Sequence, residues 1–249
     1  MLHALRCIED VGEVLPDAGG AHDIVWLPDG RTILIVRVHA DGTTADATIA
    51  GPRTRAQFKH ATGIARALVV RFKPGWSASL FGVSAHALTD RMVRLDDLWG
   101  AAGERLCREL VLARGSADVL ERLARAIAHR AQPELESSSA RLARRAARLL
   151  EGDEVRVDRV AERLGVTARH LRRAFAASIG VAPKEFARAV RLGRAVRLSA
   201  SSADWGRIAA DAGYFDQAHL IGEFRELVGL TPVAFRNREH ARATSHPSS

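Results

Sequence analysis

Apolar residues recur at helical spacing through the C-terminal hundred residues, and they do so twice in the same order. Val160, Ala161 and Leu164 mark the inner face of one helix, and Leu171, Ala174 and Phe175 that of the next. Ile208, Ala209 and Ala212, then Leu220, Phe224 and Leu227, repeat the pattern. The punctuation repeats with it. Gly165, Thr167, Gly180, Pro183 and Phe186 in the first copy answer to Gly213, Asp216, Gly229, Pro232 and Phe235 in the second. From Thr167 onward the offset is 49 residues and before it 48, so the second copy carries one extra residue in its turn. A fixed period of this kind points to a duplicated structural unit.

Each copy has the grammar of a helix-turn-helix. Gly165 suits the left-handed position that ends a helix. Thr167 and Asp216 are N-caps for the second helix of each unit. Pro183 fits the first turn of a long helix reaching Leu198, and Thr231-Pro232 opens a last short one. Opposite the apolar face, the second helix of the first unit carries Arg169, Arg172 and Arg173. That of the second unit carries Gln217, Ala218, His219 and Gly222.

The N-terminal half alternates differently. His22–Leu27 and Thr32–Val38 read as strands around the turn Pro28-Asp29-Gly30, together a hairpin. Thr48–Ala50 and Ala67–Phe72 are further strands, and short strands between Gly/Pro turns predict a small barrel or sandwich. After Trp76 the spacing becomes helical. Ser77–Phe81 is one short piece, and Ser84 caps another through Leu88. Asp96 or Asp97 caps a longer helix with Leu98, Leu106, Leu110 and Leu112. Ser116 caps one with Leu120, Leu123 and Ile127 on a face offered either to a core or to a second copy of the chain. Residues 131–138 read as a linker, and Ser139 as the cap of Ala140–Leu150. The reading is therefore α+β with two domains: 1–130 with strands to about 75 and flanking helices, and 139–240 all-α, with two helix-turn-helix units joined by a long helix. Residues 241–249 read as a disordered tail.

Charge follows this division. The net charge is +8, yet residues 1–140 hold 17 basic and 17 acidic side chains. The excess lies in residues 141–240, as an electrostatic footprint for nucleic acid should. Within that span it is uneven: residues 141–198 are net +9 and residues 199–240 net −2. This predicts that the first unit supplies most of the DNA affinity. No apolar run approaches the ~18 residues of a membrane span, and the first residues, Met1 to Arg6, lack the layout of a secretory signal. Two cysteines, Cys7 and Cys107, imply no disulfide framework, so a cytoplasmic protein is expected.

The stretch Gly213-Tyr214-Phe215-Asp216-Gln217-Ala218-His219-Leu220 continues with Phe224-Arg225, Gly229-Leu230-Thr231-Pro232 and Phe235-Arg236. It resembles the C-terminal signature of AraC/XylS-type transcription regulators, over roughly residues 137 to 240. The resemblance implies a sequence-specific regulator whose reading helices enter adjacent major grooves of double-stranded DNA. By the same resemblance Thr167, Arg169, Arg172, Arg173, Gln217, Ala218 and His219 are DNA-contact candidates, with Arg188 on the following helix placed for a phosphate. Pro28-Asp29-Gly30, Gly51-Pro52-Arg53-Thr54-Arg55, Arg71-Phe72-Lys73-Pro74-Gly75 and Asp96-Asp97-Leu98-Trp99-Gly100 are similar to AraC-type regulators with an uncharacterised sensor-like domain. That similarity implies a cupin-like fold loosely and names no ligand.

Other chemistry finds less support. His22, His39, His60 and His86 form no metal-ligand spacing, so neither metal nor cofactor is expected. Trp26 and Trp76 are candidates for lining an effector pocket, with core packing as the competing reading. No nucleophile, phosphate-loop or dinucleotide motif appears, and the chain reads as a non-enzyme. Control by a small-molecule effector at the N-terminal domain is the leading expectation. The alternatives are a protein partner bound there, or a DNA-repair methyltransferase, which would need an activated cysteine.

Overall fold

The computed structural model describes residues 7–14, 21–130, 137–152 and 156–244. The N-terminal part runs β1 (Ile8–Val14), β2 (Ala21–Trp26), β3 (Thr32–His39), β4 (Ala45–Ala50), β5 (Gln57–Thr62) and β6 (Ile64–Phe72). Then come α1 (Ser77–Phe81), α2 (Ala85–Leu88), β7 (Met92–Arg94), α3 (Leu95–Trp99), α4 (Ala101–Val111) and α5 (Ser116–Arg130). The C-terminal part is helical throughout: α6 (Ser138–Glu151), α7 (Val157–Arg163), α8 (Ala168–Ile179), α9 (Pro183–Ser199), α10 (Trp205–Ala212), α11 (Gln217–Val228) and α12 (Pro232–Thr244). The fold is thus α+β in two parts, as the sequence predicts.

Five strands form one antiparallel sheet in the order β1-β6-β3-β4-β7, and β2 pairs with β5 in a separate ribbon. The two sheets share no strand pairing among the described residues. β3 is central because Thr32–Val36 is apolar or buried on both faces. Its alternation divides two cores. Leu34 and Val36 join Ile49, Leu68, Val70 and Phe72 beneath helices α4 and α5, whereas Ile33 and Ile35 pack with Trp26 on the other side.

The expected hairpin of residues 22–38 does not form. The connection 27–31 holds Pro28 and a left-handed Gly30, φ +67°, and both edges of β3 are taken by β4 and β6, which leaves β2 no place beside it. β2 pairs with β5 instead, with Val25 packed against the helical domain. The expected long helix breaks at Gly100, φ +56°, into α3 and α4, and Leu112 lies outside it, 73% exposed. Leu123 and Ile127 are buried in the core under the sheet, so that face of α5 is used for packing. Ser137, not Ser139, caps α6, its Oγ accepting from the Ala140 N–H. Helical backbone continues through residues 241–244. Of the expected linker 131–138, residues 131–136 lie outside the described residues and Ser138 already belongs to α6; of the expected tail 241–249, residues 245–249 lie outside them.

The two parts pack extensively. Val25, Leu27, Ala56 and Phe58 complete the core of the second helix-turn-helix unit, and the Ala56 N–H donates to the Leu227 carbonyl at 2.7 Å. The first unit is held separately. Thr89 Oγ1 donates to the Gly180 carbonyl at 2.8 Å, and the Arg144 guanidinium lies 4.5 Å over the Trp76 ring. Gly30 is the tightest approach: a Cβ there would lie 2.4 Å from the Phe186 ring. Among the described residues no helix is long and apolar enough to cross a membrane.

Candidate nucleic-acid interface

Local chemistry builds both reading helices alike. In the first unit Val160 and Ala161 of α7 are buried, Gly165 turns at φ +68°, and Thr167 Oγ1 accepts from the His170 N–H at 3.2 Å. α8 then turns Leu171, Ala174, Phe175 and Ile179 inward. In the second unit Ile208 and Ala209 of α10 are buried, Gly213 turns at φ +86°, and Asp216 Oδ1 accepts from the His219 N–H at 2.7 Å. α11 turns Leu220, Phe224, Leu227 and Val228 inward.

What remains outside is polar and open. Thr167, Arg169, Arg172 and Arg173 are exposed at and beyond the start of α8. Arg172 has only a loose ion pair, 3.7 Å to Asp158, between two exposed side chains. Such a pair is worth little and yields readily to a phosphate or base. Gln217, Ala218 and His219 are exposed at the start of α11. The His219 ring is oriented from two sides. It meets Tyr214 edge-on at 5.3 Å, and its Nδ1 accepts from the Phe215 N–H at 3.4 Å. In the neutral ring the proton then sits on Nε2, which is free to donate outward.

Arg188 has a different setting. Its Nε donates to Glu223 at 2.8 Å and its Nη1 to Glu226 at 3.1 Å, while Arg191 adds a 3.0 Å contact to Glu223. Glu223 is buried, and the Arg188 guanidinium holds the Glu226 carboxyl below its ordinary range. These arginines tie α9 to α11 across the two units. They also neutralise the two glutamates that dominate the negative charge of the second reading helix.

One exposed residue was not singled out by the sequence. Phe215 is 92% exposed beside Gln217. Burial of the adjacent Tyr214 turns it outward, and only that alternation could have signalled it. The effector candidates separate. Trp26 lines a cavity of about 610 Å³ between the two parts, whereas Trp76 packs against Arg144. Among the described residues no cluster of His, Cys, Asp or Glu could hold a metal. Burial pushes the Cys7 thiol up to about 11 and raises that of Cys107, the opposite of an activated nucleophile.

A helix-turn-helix domain family matches residues 160–238, over the repeat just described. The C-terminal region is an AraC-type helix-turn-helix domain. A domain of unknown function (DUF6597) matches residues 13–94. Among solved structures, the AraC-type region is similar to the DNA-binding domain of AdpA, a global transcriptional factor solved in complex with a target DNA. Identity is 27%, over 43% of this chain and 96% of that one, with a TM-score of 0.37. It is also similar to a probable AraC family transcriptional regulator from Rhodopseudomonas palustris, at 22% identity over 43% and 99%, TM-score 0.35. ToxT from Vibrio cholerae, solved with an unsaturated fatty acid bound, matches at 11% identity over 91% and 93%, TM-score 0.44. No curated protein matches the chain. The AraC-type domain makes this a DNA-binding transcription regulator.

Proposed function

We propose that α8 and α11 enter successive major grooves on one face of the duplex, about one turn, ~34 Å, apart. The observation that carries this is the matched pair of open polar faces on helices whose apolar faces are all buried. Arg169, Arg172 and Arg173 supply guanine recognition, since an arginine can bond both major-groove acceptors of guanine. Gln217 suits adenine, His219 Nε2 a base acceptor, and the exposed Phe215 ring a thymine methyl. Arg188 serves as a tie between the units rather than as a phosphate contact. Both reading helices belong to one chain, so a second copy is not required to read two grooves.

The N-terminal part, residues 1–130, acts as the controlling domain in the cytoplasm. It touches both units behind their reading faces, so a shift in its packing would change their spacing. A cavity between the parts favours a small-molecule effector. A docked protein has less support, because the large apolar side chains exposed among the described residues are the scattered Leu112, Phe215 and Val233. The experiment is a mobility-shift titration of the full chain against a duplex selected from random sequence, at rising salt. Affinity should fall steeply as phosphate contacts release counterions. Absence of any shifted complex at low salt would refute the reading.

A further inference from the structure

The segment Gly51-Pro52-Arg53-Thr54-Arg55 has no part in DNA reading, yet the fold holds it with care. Asp90 adopts a left-handed backbone, φ +57°, rare outside glycine. From there its carboxylate accepts from the Thr54 N–H at 2.9 Å and from the Thr54 hydroxyl at 2.6 Å, and its own N–H donates to the Pro52 carbonyl at 2.9 Å. Gly51 passes so close to α2 that a Cβ would lie 1.8 Å from the Leu88 carbonyl oxygen. The residue fixed at the centre of this loop is Arg53.

Arg53 is 5% exposed, and its Nε and Nη2 are buried without a hydrogen-bond partner. Its guanidinium lies 5.3 Å over the Trp26 ring. Two guanidinium nitrogens buried without hydrogen bonds are costly, and packing alone offers no reason to keep them so. Burial also lowers its proton affinity, and the nearby carboxylates of Asp90 and Asp29 offset this only in part. Arg53 lines the 610 Å³ cavity between the two parts. From the other side, exposed Arg197 of α9 lines the same space, and its side chain makes no hydrogen bond or ion pair among the described residues. The other charges around the cavity are largely engaged: Arg31 with Glu9 and Glu151, Arg71 with Asp10, Arg194 with the carbonyls of Glu151 and Gly152. Asp29 accepts from the Arg31 N–H. The remaining wall includes Val25, Leu27, Ile33 and Val190.

We propose that this cavity binds a small organic carboxylate, its oxygens taken by the Arg53 guanidinium and Arg197 and its body by the apolar wall. A guanidinium fork matches a carboxylate in two parallel hydrogen bonds. A cavity of this size suits a ligand larger than an inorganic anion. Arg53 and Arg197 come from different parts of the chain, so the ligand would staple the controlling part to α9. Its consequence for DNA rests on the regulator reading above; its existence does not.

The test is isothermal titration of the full chain with benzoate and octanoate, up to about 10 mM. Benzamide, octanol and inorganic phosphate serve as controls. Thermal melts and DNA mobility shifts are run on the same samples. At least one carboxylate should bind saturably and raise the melting temperature, while its neutral counterpart and phosphate do not. Arg197→Ala, at an exposed position, should weaken that binding about tenfold or more. Arg53→Met should abolish it without lowering the melting temperature of the free protein, because it removes buried donors that have no hydrogen-bond partner. The proposal is overturned if no carboxylate binds, if the neutral counterpart or phosphate binds as well, or if both variants retain affinity. It is also overturned if Arg53→Met destabilises the free protein, which would make Arg53 a packing residue. The DNA shift separates the two readings: a chain that shifts DNA but binds no carboxylate loses only this proposal. A chain that binds carboxylate but not DNA loses only the regulator reading.

Discussion

Arg188 of α9 and Glu223 of α11 form an ion pair, Nε to Oε2 at 2.8 Å, across 35 residues of sequence. The Glu223 side chain is 5% exposed, so neither water nor salt reaches it easily. Arg191 reaches the same carboxylate. The first unit's long helix is thereby fastened to the second unit's reading helix. Under the proposed reading of two grooves, this tie fixes the spacing between the two helices.

Removing Glu223 should leave two partly buried guanidinium groups without their shared partner. Glu223→Ala is expected to cost ~1–3 kcal/mol in chemical denaturation, less than a fully buried pair because the arginines are partly exposed. Glu226 is largely exposed, and Glu226→Ala should cost much less. A cost from Glu226→Ala equal to that from Glu223→Ala would mean that burial does not govern the tie.

The same cluster has a pH signature. Arg188 holds the Glu226 carboxyl low, so its pairing is fully present above the ordinary glutamate pKa. The contribution is lost as pH falls through the lowered folded value. Glu226→Gln should therefore make stability less sensitive to acid in that window. An unchanged acid limb in the variant would argue against the pairing.

Gly30 tests the packing between the two parts. Gly30→Ala meets both a left-handed backbone, φ +67°, and the buried Phe186 ring. The combined expectation is ~2–4 kcal/mol, from backbone strain and overpacking. Gly42→Ala is the control, with φ +68° and open space around its Cβ, and should cost only ~1–2 kcal/mol. Equal melting temperatures for the two variants would show that the interface tolerates the methyl group.

The helix-turn-helix units were legible because their signals are local. Thr167, Asp216, Gly180, Gly229 and Pro183 sit where caps and first turns require them, and the capping bonds of Thr167, Asp216, Gly180 and Gly229 span only a few residues. The N-terminal sheet was only partly legible. β3 declared itself through its unbroken run Ile33 to Val36. β1, with its mixed Ile8–Val14, and β5, Gln57–Thr62, carry polar residues that hide their strand character. Pairing of β2 with β5 is a long-range choice, decided by which apolar face the helical part covers. The Arg188–Glu223 tie was invisible for a similar reason. A charge count for residues 199–240 cannot show that Glu223 and Glu226 are already matched by arginines of the preceding helix. The missing hydrogen-bond partners of Arg53 Nε and Nη2 likewise show only in three dimensions.

Phe215 separates reading from folding. At 92% exposure, Phe215→Ala should change stability by less than about 0.5 kcal/mol. DNA affinity should nevertheless fall, most at a site whose second half contains thymine. Unaltered affinity across all sites would leave Phe215 without a part in recognition.

In the proposed mode of binding both open faces read DNA and the arginine-bearing one dominates. Quantitative footprinting of the full chain and its single alanine variants on one selected duplex tests this most directly. Arg172→Ala or Arg173→Ala should cost ~1–3 kcal/mol and relax specificity in one half of the site. Gln217→Ala or His219→Ala should cost less and act on the other half. Losses equal on both helices, larger on α11, or confined to the same half of the footprint would contradict the account.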